Sequence, residues 1–142
     1  MNEIYTEIDI NAPAEKVWQI LTDFKNYPKW NPFIKTAKGI AHEGEFLKVR
    51  IQPPGRSAMT FQPKVLKAEV NKELRWKGKF LIPGLFDGEH IFVLKELSPR
   101  KTKLIHSEKF AGILVPLFKS VLKDSERGFE LMNEALKKRA ES

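Results

Sequence analysis

The sequence predicts an α+β fold in which a curved antiparallel β-sheet wraps around one long C-terminal helix, with two short helices after the first strand. Three observations carry this reading. Residues 2–11 alternate apolar with polar, residues 35–110 repeat that alternation in short segments separated by turn residues, and residues 112–142 switch to a sustained helical period. The 142 residues are expected to form a single domain spanning 1–142, long enough to bury one sizeable core.

In the first strand Ile4, Thr6, Ile8 and Ile10 share one side and Glu3, Tyr5, Glu7 and Asp9 the other, the signature of a half-exposed strand. "NAPAEKVWQILTDF" then places Val17, Ile20, Leu21 and Phe24 on a helical stripe, opened by Asn11 as cap and Pro13 near the first turn. Pro28 and Pro32 end that helix and leave a second short helix or turn presenting Trp30 and Phe33. Trp18 and Trp30 are expected to pack these helices together.

"FLKVRIQ" alternates Leu47, Val49 and Ile51 with Lys48, Arg50 and Gln52, and "QPPGR" supplies the following turn. In "FQPKVLKAEV" the apolar parity slips between Val65 and Leu66, which predicts a β-bulge. "LRWKGKF" sets Leu74, Trp76, Gly78 and Phe80 against Arg75, Lys77 and Lys79. "EHIFVLKEL" and "TKLIHSEKF" read as the arms of a hairpin around "SPRK". Beyond it, apolar residues at 114, 117, 118, 121, 122, 129, 132 and 136 form the stripe of an amphipathic helix, which Ser125 and Gly128 continue with small side chains. A curved sheet gripping one helix is hard to fill with side chains alone, so a cavity between the layers is expected.

Composition narrows the function classes. There is no cysteine, which excludes disulfides, thiolate metal sites and a cysteine nucleophile. No segment approaches the roughly 20 apolar residues of a membrane span, and "MNEIYTEIDI" lacks the layout of a secretory signal, so a cytoplasmic location is expected. The net charge of +7 comes from basic residues dispersed along wet strand faces, with "KKRA" the one short cluster, so no nucleic-acid partner is expected.

The order of elements, with "INAPAEKVWQILTDFKNYPKWNPF", "FLIPGLFDGEHIFVLKEL", "TKLIHSEKFAGIL" and "FELMNEALKKRAE", resembles the START-like, or Bet v 1-like, helix-grip superfamily (SRPBCC) over essentially the whole chain. Within it the chain is most similar to polyketide cyclase/dehydrase-like domains. The resemblance implies a hydrophobic pocket for a small molecule or lipid. It does not imply one reaction, since the fold hosts carriers, receptors and cyclases alike.

The resemblance also implies that His90, Phe92 and Leu94 face inward together with Leu104, His106, Glu108 and Phe110. Centring the hairpin turn on Pro99 sets His90 opposite Glu108 and Phe92 opposite His106, close enough for an imidazole and a carboxylate to bond. A slip of two residues sets Phe92 beside Glu108 instead. The His90, His106 and Glu108 group can be a self-satisfied structural cluster, a polar anchor for a ligand, or an acid–base centre for a cyclisation or dehydration. Two imidazoles and a carboxylate also suit zinc or iron, but the spacing matches no known metal signature, and neither a resident metal nor a cofactor is expected.

The expected pocket lining is Trp76, Phe80, Phe86, His90, Phe92, His106, Glu108, Phe110, Phe118 and Leu122, with the loop Leu81–Gly88 and the segment Gly112–Phe118 gating entry. Arg56 is a candidate for an anionic group at the mouth. Ser57, Ser107 and Ser125 lie in no nucleophile-elbow context. The primary expectation is binding of a hydrophobic or amphipathic small molecule or lipid in an internal cavity. The alternatives are a cyclase/dehydratase using His90, His106 and Glu108, and a protein-interaction module using the outer face at Ile91, Val93 and Ile105.

Overall fold

The computed structural model describes residues 2–79 and 84–142. Along the chain run β1 (Glu3–Ile10), α1 (Ala14–Thr22), a 3₁₀ turn at Phe24–Asn26, α2 (Tyr27–Trp30), β2 (Ile34–Lys38), β3 (Lys48–Ile51), β4 (Met59–Phe61), β5 (Lys64–Glu69), β6 (Glu73–Lys79), β7 (Asp87–Ser98), β8 (Lys101–Ala111), a 3₁₀ turn at Val115–Phe118, and α3 (Lys119–Glu141). The fold is α+β, with antiparallel strands in two sheets ordered β1-β8-β7-β6-β5 and β2-β3-β4. Residues just before β3 bond to the edge of β5, where Leu47 N–H donates to the Pro63 carbonyl at 2.8 Å and Val65 N–H to the Glu45 carbonyl at 2.8 Å. These bonds continue one curved wall from β5 into β3, and α3 lies along its concave side against β1 and β8.

The parity of the strands decides what faces α3. Ile4, Thr6 and Ile10 of β1 are buried while Glu3, Tyr5 and Glu7 are exposed. Between β5 and β6 the register passes from Val65↔Trp76 to Lys67↔Arg75, so Leu66 is the extra residue of the bulge that the parity slip predicts. The segment read as one run, "FQPKVLKAEV", is divided into β4 and β5; Pro63 between them has no N–H for a ladder.

Two helix ends differ from expectation. The residue preceding α1 is Pro13, extended at φ −63° and ψ 150°, and Asn11 makes no side-chain cap. Asn11 instead donates its backbone N–H to the Glu141 carboxylate at 2.7 Å, tying the start of α1 to the end of α3. The C-terminal helix starts at Lys119, because residues 115–118 form the 3₁₀ turn; Leu117 there is 77% exposed rather than part of the buried stripe.

The buried stripe of α3 runs through Leu122, Ser125, Gly128, Phe129, Met132, Asn133, Leu136 and Ala140. Gly128 is the point of closest approach. A Cβ there would lie 2.7 Å from Cε1 of Phe33, whose ring fills the space a side chain would need and packs on Phe129 with centroids 5.3 Å apart. The N-terminal helices are held by aromatic edges: Phe24 on Tyr27 at 5.4 Å, Tyr27 on Trp30 at 5.2 Å, and Phe24 on Trp76 at 6.4 Å. No helix among the described residues is long and apolar enough to cross a membrane.

Candidate functional site

The β7–β8 hairpin pairs His90 with Glu108 and Phe92 with His106, the register obtained by centring the turn on Pro99. This pairing sends two imidazoles into the core, where an unbonded polar group costs a few kcal/mol. Their neighbours show how that cost is met. His90 Nε2 and His106 Nε2 are 2.6 Å apart, and His106 Nδ1 lies 2.8 Å from the side-chain oxygen of Asn133 on α3. The Asn133 amide donates to Thr6 Oγ1 at 2.9 Å, and the Thr6 hydroxyl donates to the His106 carbonyl at 2.7 Å. β1, β8 and α3 thus close a loop of hydrogen bonds around His106.

Aromatic rings pack against both imidazoles. Phe129 stacks on His106 with centroids 4.0 Å apart and planes 11° from parallel, and Phe92 stacks on it at 4.4 Å. Trp76 lies 5.1 Å from His90. Complete burial holds His106 well below the ordinary imidazole pKa; repulsion from His90 adds to this, and the Asn133 bond opposes it.

The other end of the chain of polar groups meets a pocket. His90 Nδ1 is buried, lies 3.4 Å from Glu108 Oε1, and has no well-formed hydrogen bond among the described residues. Glu108, its side chain 18% exposed, stands beside Gly88, where any Cβ would collide with its Oε2. The absence of a side chain at Gly88 therefore leaves the carboxyl group its place.

The pocket has a volume of about 90 Å³ and lies between the sheet and the first turns of α3. Its walls include Phe33, Val49, Phe61, Trp76, Leu122 and Ser125, with His90 and Glu108 among them. Of the residues expected to line it, Trp76, Phe86, His90, Glu108, Phe110 and Leu122 do so. Phe92 and His106 do not reach its wall; both are wholly buried, Phe92 against the two imidazoles and His106 between Phe92 and Phe129. Phe118 is not on the wall either but packs on Phe86 at 4.7 Å, which in turn packs on Phe110 at 5.6 Å. Phe80, and residues 81–83 of the loop expected to gate entry, lie outside the described residues.

The described part of that loop is tied to the segment after β8. Ile113 N–H donates to the Gly84 carbonyl at 3.2 Å and Leu114 N–H to the Leu85 carbonyl at 2.9 Å. Gly112 makes this possible, with φ +126° and a backbone so close to Leu85 that a side chain would collide with its carbonyl. Arg56 is already engaged by the protein: Nε bonds Asp124 at 2.6 Å and Nη2 bonds Ser120 Oγ at 2.5 Å, tying the β3–β4 loop to α3. Among the described residues no cluster of three or more His, Asp or Glu side chains is placed to hold a metal ion.

The sequence reading missed Asn133 and Thr6. A signal for Asn133 was present, because residues 129, 133, 136 and 140 recur at helical spacing on the buried face, and a polar residue there needs a buried partner.

Comparison with known proteins places this geometry in context. The family model described as "Polyketide cyclase / dehydrase and lipid transport" matches residues 1–141. A START superfamily protein from Mycobacterium smegmatis is 24% identical with a TM-score of 0.76, covering 98% of this chain and 97% of that one. The Zhui aromatase/cyclase from Streptomyces sp. R1128 is 14% identical with a TM-score of 0.79, covering 98% and 93%. The protein TTHA0849 from Thermus thermophilus is 18% identical with a TM-score of 0.74, covering 97% and 96%. No curated protein matches the sequence. At these identities the structural likenesses establish a shared fold, and the family match over nearly the whole length establishes the rest: the chain belongs to the polyketide cyclase/dehydrase and lipid transport family.

Proposed function

We propose that the protein binds a hydrophobic or amphipathic small molecule or lipid in the pocket between the sheet and α3, with the polar end of the ligand at His90 and Glu108. The observation that carries this reading is the combination of apolar walls with a buried imidazole nitrogen lacking a well-formed bond at the inner end. Ligand sites are mostly apolar with a few convergent polar groups, and this is that pattern. The pocket, about 90 Å³ in volume and partly open to its surroundings, suits a ligand the size of one ring or a short chain.

The test is mass spectrometry of what copurifies with the protein, followed by thermal denaturation with and without the extracted compound. A stoichiometric apolar compound that raises the melting temperature is expected. Protein that purifies empty, and whose melting temperature no extracted lipid or aromatic compound raises, contradicts the reading.

A second reading is supported by the 3.4 Å approach of Glu108 Oε1 to His90 Nδ1 at the pocket wall. A carboxyl group and an imidazole so placed can pass a proton to and from a bound carbonyl compound, the requirement of a cyclisation or dehydration. Here Glu108→Gln should abolish turnover while leaving the protein folded, as a melting curve would show. Unchanged turnover in that variant rules the enzymatic reading out.

A further inference from the structure

The hydrogen-bond loop around His106 has a direction, and that direction reaches the pocket. The His106 carbonyl can only accept, so the Thr6 hydroxyl donates to it and its oxygen is left to accept from the Asn133 amide. The amide orientation of Asn133 is thereby fixed, and its oxygen faces His106 Nδ1. That oxygen can only accept, so the His106 proton sits on Nδ1 and its Nε2 is bare. The 2.6 Å contact then takes its proton from His90 Nε2. With Nε2 committed to His106, the His90 ring nitrogen left to meet a ligand is Nδ1, which stands 3.4 Å from Glu108 Oε1 at the pocket wall.

We infer that Asn133 and Thr6 are positioning residues that hold His106 in one tautomer and, through it, keep the proton of the shared contact on His90 Nε2. The pocket wall then offers the Glu108 carboxyl group beside His90 Nδ1, and selects apolar ligands bearing a hydroxyl over those bearing a carboxylate or an ether. This selectivity rests on the ligand-binding reading above. The tautomers do not, because they follow from buried contacts present without a ligand. A hydroxyl group donates to the Glu108 carboxyl group and places its oxygen beside His90 Nδ1. A carboxylate brings only lone pairs to Glu108, and an ether brings no proton.

The experiment has two arms on the 142-residue chain. In the first, long-range ¹H–¹⁵N correlation spectra of the imidazoles report which nitrogen carries the proton, with exposed His42 as internal reference. A proton on Nδ1 of His106 and on Nε2 of His90 is expected, with Thr6→Val and Asn133→Leu each giving mixed tautomers at His106. A proton on Nε2 of His106 in the wild type, or unaltered tautomers in every folded variant, overturns the positioning role. In the second, p-cresol, 4-methylanisole and p-toluate are titrated. Binding of p-cresol at least tenfold tighter than either of the others, with a shift at His90 Nδ1, is the expected result. Equal binding of 4-methylanisole or p-toluate overturns the selectivity while leaving the binding reading standing. Failure of all three to bind overturns both.

Discussion

The carboxyl group of Glu108 occupies the space that a side chain at position 88 would fill: a Cβ built on Gly88 collides with Glu108 Oε2. Gly88 pairs with Phe110 on the adjacent strand, so the backbone of β7 cannot withdraw without breaking the ladder. The carboxyl group must move instead. Gly88→Ala is therefore expected to displace Glu108 from His90 and weaken binding of a polar-ended ligand by about tenfold, or about 1.4 kcal/mol, while thermal stability changes little. Titration calorimetry beside a melting curve checks this, and unchanged affinity contradicts it.

Gly128→Ala tests the grip of α3 on the sheet. In an exposed helix this change stabilises by about 1 kcal/mol. Here the new methyl would sit 2.7 Å from Cε1 of Phe33. Overpacking of this kind costs about 1–3 kcal/mol, so net destabilisation is expected in urea denaturation. Adding Phe33→Leu should recover part of the loss, and a more stable single variant refutes the contact.

Burial and the neighbouring His90 keep His106 from taking a proton in the folded state, against the partial support of Asn133. The unfolded chain has no such restraint and protonates near the ordinary value of about 6.5. Below that pH the unfolded state binds more protons, so the contribution of His106 is fully present above about pH 6.5 and is lost as the pH falls. Between pH 7.5 and 5.5 stability should therefore fall. Denaturation curves of the wild type and of His106→Gln check it: the variant, less stable overall, should show a shallower slope with pH. Parallel slopes contradict the assignment.

The Arg56–Asp124 pair joins the β3–β4 loop to α3 beside the pocket, and its side chains are 34% and 41% exposed. Exposed pairs contribute less than about 1 kcal/mol, so Asp124→Asn should leave the melting temperature nearly unchanged. Loosening the loop should instead speed ligand exchange, seen as a larger dissociation rate in stopped-flow fluorescence. A large loss of stability with unaltered exchange contradicts this role.

The sequence made the strand faces legible because alternation admits only two parities. The pairing of His90 with Glu108 agrees with a turn centred on Pro99, although the turn itself is Pro99–Arg100 and a register shift between Glu96 and Ser98 restores that pairing. The bulge at Leu66 was legible for the same reason: one extra residue exchanges the faces. The depth of each residue was not legible. Inward orientation put Phe92, His106 and Trp76 in one class, yet the structure covers His106 with Phe129 and Phe92 with the two imidazoles, and sets only Trp76 on the pocket wall. Alternation gives direction from the sheet, whereas depth depends on how α3 crosses it. The fate of Arg56 was hidden likewise, since its partners Ser120 and Asp124 are 64 and 68 residues away in the chain.

The most direct test of the account is the location of a bound ligand. Intermolecular NOEs from p-cresol to the 142-residue chain should connect its ring to Trp76, Phe110 and Leu122, with the hydroxyl end nearest His90 and Glu108. NOEs confined to another surface, such as the groove at Phe24, Pro28 and Lys38, would contradict it.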